Sequence, residues 1–134
     1  AVMDLDLHRG IRRIREALHH LDAGRESPLE SQSWAYLVRR GLPLPELQVD
    51  VIDDSGFFVG RVDLLWREAR IIGEVDGRMK YAMADDLYRE KRREDRLREL
   101  GFQVVRWGSA DLRDGILAHR LRTLLIRRPL RNAS

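Results

Sequence analysis

The sequence predicts an α/β (α+β) domain built on a mixed four-stranded sheet flanked by helices, in the order ααβββαβα. Three observations predict it. Apolar residues recur at helical spacing near the N-terminus, in a charged central stretch and near the C-terminus. The segments between them switch to an alternating period of two. Glycine or proline stands at nearly every point where the period changes. With 134 residues, of which 43% are hydrophobic, the chain suits one ordinary domain with one core.

Each element follows from its own residues. Ile11, Ile14, Leu18 and Leu21 mark an amphipathic helix over 9–22, ended by Gly24. Ser27-Pro28-Leu29-Glu30 has the form of a capping box with proline at the first helical position, and that helix should run to Arg40 before Gly41 stops it. Leu47 to Ile52 alternates as a strand, Asp53-Asp54-Ser55-Gly56 turns the chain, and Phe57 to Trp66 forms the second strand of a hairpin. Arg70 to Asp76 is a third strand, making an antiparallel meander. A highly charged helix over 83–100 ends at Gly101, with Met83, Leu87 and Leu97 expected to face the sheet. Phe102 to Trp107 is the fourth strand, and a last helix is expected from Ala110 to Arg127, before Pro129. Trp34, Trp66 and Trp107 read as core residues. The organisation expected is a single domain over 1–134, with an N-terminal helical extension (1–26), a core (27–127) and a tail (128–134). Its opening, Ala1-Val2-Met3, fits a piece of a longer protein with a further domain or partner protein.

Composition narrows the chemistry. The absence of cysteine excludes disulfides, thiolate metal sites and cysteine nucleophiles. Of the four histidines only His19 and His20 are adjacent, and neighbours on a helix point about 100° apart, so they do not chelate one ion together. Carboxylates are the plentiful metal ligands that remain. No apolar run reaches the roughly 18 residues of a membrane-spanning helix, so no membrane partner and a cytoplasmic location are expected. The net charge of +3 is compatible with a polyanionic partner without requiring one. Only Lys80 and Lys91 among the 25 basic residues are lysines, and both follow closely on an acidic motif.

That motif is Glu74-Val75-Asp76. Residues two apart on a strand share a face, so these carboxylates should stand side by side, about 7 Å apart at their Cα atoms. Asp63 lies among apolar neighbours in the preceding strand, where an unpaired carboxylate is costly to bury. Were the register to set Asp63 opposite Glu74 or Asp76, the three would repel one another unless a hard divalent cation, Mg²⁺ or Mn²⁺, lay among them. The alternative is that an arginine such as Arg61 or Arg106 neutralises Asp63, with Glu74 and Asp76 at a solvated strand end. Glu30 is explained by its place in the capping box, its carboxylate reaching back to the backbone of Ser27.

Glu30 in an early helix, Asp63 in a strand, Glu74-Val75-Asp76-Gly77 and a charged helix ending Leu97-x-x-x-Gly101-Phe102 are followed by Val104-x-Arg106-Trp107. This combination resembles the very short patch repair (Vsr-like) endonuclease branch of the PD-(D/E)xK superfamily and its small relatives, over about 27–127. The resemblance implies a restriction-endonuclease-like core, Mg²⁺- or Mn²⁺-dependent phosphodiester hydrolysis and DNA as partner. It also implies Glu30, Asp63, Glu74 and Asp76 as metal ligands. The motif's lysine position is Asp76 here, so the basic group expected at the site is Lys80 or Lys91. Glu90 and Glu94 lie on the sheet-facing stripe of the same helix, where arginine partners would account for them. Arg78, Lys80, Arg120, Arg122 and Arg127 are the expected nucleic-acid contacts, the last three equally readable as a solvated helix edge. The competing class is a catalytically inactive relative serving as a DNA-binding or protein-interaction module of a regulator or antitoxin-like protein.

Overall fold

A computed structural model describes residues 28–76 and 84–127. Helix α1 (Pro28–Arg39) leads into strands β1 (Glu46–Ile52), β2 (Phe58–Trp66) and β3 (Ile71–Val75). Helix α2 (Ala84–Glu99), strand β4 (Gln103–Trp107), a 3₁₀ turn (Ser109–Leu112) and helix α3 (Ile116–Arg127) complete the order. The sheet runs β1-β2-β3-β4, antiparallel except for the parallel β3–β4 pair, which makes it mixed as expected. A parallel pair needs a crossover, and α2 lies within it. The expected first helix (9–22), the Ser27 end of the capping box and the tail lie outside the described residues.

Two apolar layers hold the elements together. On one face Leu64, Trp66, Ile71, Val75, Val105 and Trp107 pack with Leu29, Tyr36 and Leu37 of α1 and Leu117 and Leu121 of α3. On the other, Val59, Val62, Leu65, Ile72 and Val104 meet Leu97 of α2. Fully burying each such aliphatic side chain stabilises by about 1.5–3 kcal/mol. Trp34, Trp66 and Trp107 are all buried, as predicted.

Two expectations are corrected. The last helix does not begin at Ala110. Asp111 turns its carboxylate onto the Gly108 N–H (2.8 Å), Asp114 accepts the Ile116 N–H (3.0 Å), and the chain bends through Gly115 between the 3₁₀ turn and α3. Asp111 thus caps the start of the 3₁₀ turn, and Asp114 takes a backbone donor that a continuous helix would pair internally, so a new helix starts after it. Leu87 is 57% exposed and not on the sheet-facing stripe. The inner face of α2 is instead carried by Glu90, Arg93, Glu94 and Leu97, which recur at helical spacing.

The strands that carry the site are irregular where it lies. Leu47 pairs with Leu64 and Val49 with Val62, but Gln48 and Asp63 between them are not paired. Leu47 packs with one layer and Val49 with the other, and Val62 and Leu64 divide the same way. Residues two apart normally share a face. The change of face coincides with Gln48, whose φ of 50° is left-handed within a strand, a conformation costing roughly 1–2 kcal/mol for a residue with a Cβ.

Candidate active site

The β2–β3 ladder pairs Trp66 with Ile71, Leu65 with Ile72 and Leu64 with Gly73, and then stops. Continued one step, that register sets Asp63 against Glu74, the juxtaposition on which the sequence argument depended. In place of ladder bonding, Asp63 uses its side chain: Oδ2 accepts the Val75 N–H at 3.0 Å. A cleft of about 290 Å³ opens there, lined by Asp63, Glu74 and Asp76 from the strands and by Glu90 and Arg93 from α2.

Within it the charges are unevenly shared. Glu74 is 8% exposed and lies beside Asp63 in the cleft. Burial, then the negative charge of Asp63, push its carboxyl up to about 7, against the pull of Arg93. Arg93 Nη2 sits 2.8 Å from Glu74 Oε1 and also donates to the Arg61 carbonyl at 2.6 Å, while Nη1 reaches Glu90 at 3.0 Å. These partners outweigh burial and hold Arg93 protonated, above the ordinary arginine value. Arg106 bridges Glu90 (3.3 Å) and Glu94 (3.5 Å), so the arginine pairing expected for those two acids is present.

Among the described residues no guanidinium lies within ion-pair distance of Asp63; Arg93, bound to Glu74, acts on it from further off. Arg61 is engaged by Asp50 at 2.8 Å and Arg106 by the α2 acids, so neither supplies the ion pair considered for Asp63. Its second oxygen lies 3.5 Å from Gln48 Nε2, which donates at 3.1 Å to Glu30 Oε2. Glu30 of α1 is thereby tied to the strand acid through an amide.

Asp63 and Glu74 come together as anticipated, but the full acidic trio does not. β3 ends at Val75, and the Asp76 N–H extends the β3–β4 pairing by donating to the Trp107 carbonyl (2.8 Å). Asp76 lines the cleft, yet among the described residues no group of three acids or histidines converges as a ligand set. Lys91 is exposed on α2 and is not part of the cleft lining, which corrects its placement at the site. Lys80 and Arg78 lie outside the described residues. Arg120, Arg122 and Arg127 are exposed on α3, and Arg122 caps the far end of α1 by donating to the Arg40 carbonyl at 3.0 Å.

Sequence reasoning missed Gln48 and Arg93. Arg93 follows Glu90 by three residues on a stripe already seen to be charged, which was a usable signal. Gln48 carried none, because an amide in an alternating strand reads as a solvated position.

Comparison with known proteins adds two relatives. The chain is 35% identical over 105 residues, 78% of its length, to the uncharacterized protein MT2308 of Mycobacterium tuberculosis (strain CDC 1551 / Oshkosh). The same values hold for the uncharacterized protein Rv2248 of Mycobacterium tuberculosis (strain ATCC 25618 / H37Rv). The match covers 38% of the length of each relative. No protein-family model matches the chain, and no solved structure matches it. Among the described residues no helix is long and apolar enough to cross a membrane.

Proposed function

We propose that this chain is a metal-dependent endonuclease-like domain of the PD-(D/E)xK kind, hydrolysing phosphodiester bonds in DNA in the cytoplasm. One observation carries the reading. Two carboxylates from adjacent strands, Asp63 and Glu74, share a cleft where the ladder opens, and among the described residues Asp63 is in no direct ion pair, Arg93 being bound to Glu74.

The donor set fits a hard divalent ion. Two carboxylates share a partly dry cleft in which the cation Arg93 is bound to Glu74, and Mg²⁺ and Mn²⁺ prefer oxygen ligands. Asp63 and Glu74 would hold the ion, with Asp76 at the cleft wall and Glu30 acting through Gln48. When bound, such an ion supplies neutralisation of a phosphoryl oxygen and an acidified water. The chain's own residues do the rest. The Val75 N–H fixes the Asp63 carboxylate, and Arg93 offers a guanidinium suited to a phosphate oxygen at a site without the motif lysine.

A second reading, a catalytically silent DNA-binding or protein-interaction module, is favoured by the Arg93–Glu74 ion pair, which already gives one acid a cation. Incubation of plasmid DNA with purified protein and Mn²⁺ separates the two. Nicking by wild type that is absent from Asp63→Ala and Glu74→Ala supports hydrolysis; equal products from all three proteins, or none, support the silent module.

A further inference from the structure

A second concavity, of about 500 Å³, shares no lining residue with the acidic cleft and lies between α1, from Ser31 onward, and the 3₁₀ turn. Its charged lining is entirely basic: Arg39, Arg40 and Arg113, from two separate elements. Among the described residues none of the three has a carboxylate within ion-pair distance. The acids nearest in sequence, Asp111 and Asp114, are committed to the N–H groups of Gly108 and Ile116. The dipole at the C-terminus of α1 favours a cation in its last turn and so accounts for Arg39, but not for Arg113.

The floor of this groove is rigidly built. Tyr36 Oη donates to the Asp114 carbonyl at 2.6 Å and accepts the Ala118 N–H at 3.0 Å, locking α1 to the start of α3. The Arg40 guanidinium stacks over the Tyr36 ring, 5.0 Å from its centre. A Cβ on Gly115 would lie 2.8 Å from Arg40 Nη1, so the glycine leaves the space that Arg40 fills.

We infer that this groove binds the phosphodiester backbone of DNA through Arg39, Arg40 and Arg113. The inference rests on the DNA partner proposed above and names the surface that holds it. Arginine forks match phosphate oxygens, and such contacts confer affinity and position without sequence choice.

The test is fluorescence anisotropy of a labelled DNA duplex with the full chain in EDTA, at several salt concentrations. Replacing Arg39 and Arg113 together by alanine should weaken binding by about tenfold or more and reduce the log–log salt slope by about 2, since each phosphate contact contributes about 0.9. Both side chains are exposed and bonded to no other described residue, so the fold should persist, as circular dichroism would check. Arg89→Ala with Arg98→Ala removes the same charge from α2, on the opposite face of the sheet, and should change binding little. Equal weakening by both pairs, or none by Arg39→Ala/Arg113→Ala, overturns the groove and leaves hydrolysis at the cleft standing. Groove-dependent binding without Mn²⁺-dependent cleavage by wild type overturns hydrolysis and leaves the groove standing. A wild type that does not bind the duplex at low salt overturns the groove and the DNA partner together.

Discussion

Arg93 reaches Glu74 across a residue that has no side chain: a Cβ on Gly60 would stand 2.5 Å from Arg93 Nε and 3.1 Å from its Cδ. Glycine in a strand interior ordinarily weakens it, and here it marks the path of a guanidinium over the sheet. The charge balance of the cleft thus depends on an absent methyl group in β2.

Gly60→Ala should therefore push the flexible end of Arg93 off Glu74 without breaking the sheet. The expected loss is about 1–2 kcal/mol in urea denaturation, the cost of a weakened, partly buried charged hydrogen bond. Arg93→Ala should cost more, about 2–3 kcal/mol, because it leaves Glu74 and Glu90 without that cation; full burial would raise the figure, and the 20% exposure of Arg93 lowers it. An Arg93→Ala protein as stable as wild type would mean the pair contributes nothing.

Glu74 sets a pH dependence whose sign is unusual for a carboxylate. Its folded value, about 7, lies above the unfolded value of 4.5, so the folded state holds the proton more tightly. Below 4.5 both states are neutral there and the group imposes no penalty. As pH rises from 4.5 to 7 the unfolded chain ionises first, and stability falls; above 7 the loss is complete. The difference between wild type and Glu74→Gln should change across this window by up to about 3 kcal/mol. Denaturant titrations of both proteins at several pH values read it, and parallel profiles would rule out a perturbed Glu74.

Gln48 separates a strain effect from a site effect. Gln48→Gly relieves the left-handed backbone by about 1 kcal/mol while adding chain entropy of similar size, so stability should stay within about 1 kcal/mol of wild type. It also removes the amide joining Glu30 to Asp63. If Mn²⁺ raises the melting temperature of wild type, the shift should shrink in Gln48→Gly and vanish in Asp63→Ala. An undiminished shift in Gln48→Gly would show that Glu30 and Asp63 are positioned without it.

Trp107 should be the most sensitive point of the core. A Cβ on Gly73 would lie 2.5 Å and 2.9 Å from two carbons of its ring, both groups being buried, so Gly73→Ala should cost about 1–3 kcal/mol through overpacking. Ser33→Ala removes the acceptor of the Trp107 Nε1 hydrogen bond (2.8 Å) and should cost about 1–3 kcal/mol. Because both act on one ring, the double variant should depart from additivity in urea denaturation.

The proline-led start of α1, the charged helix α2, the alternation of β1 and β2, and the stops at Gly41 and Gly101 were all legible, because each is a signal carried by neighbouring residues. The left-handed backbone at both glycines, φ 66° and 92°, is where a turn needs them. The break at Gly115 was also written in the chain, but a helical period continuing on both sides obscured it. Asp63 and Glu74 could be nominated because a carboxylate among apolar strand residues demands a partner.

What the chain determined by itself was the order of its elements and the acids that needed an explanation, since periodicity and polarity act between near neighbours. Tertiary structure alone decided which charges meet. Arg93 reaches Glu74 from 19 positions away, and Gln48 links Glu30 to Asp63. Electrostatic partnership depends on distance in space, and packing of α1 and α2 on opposite faces of the sheet sets that distance.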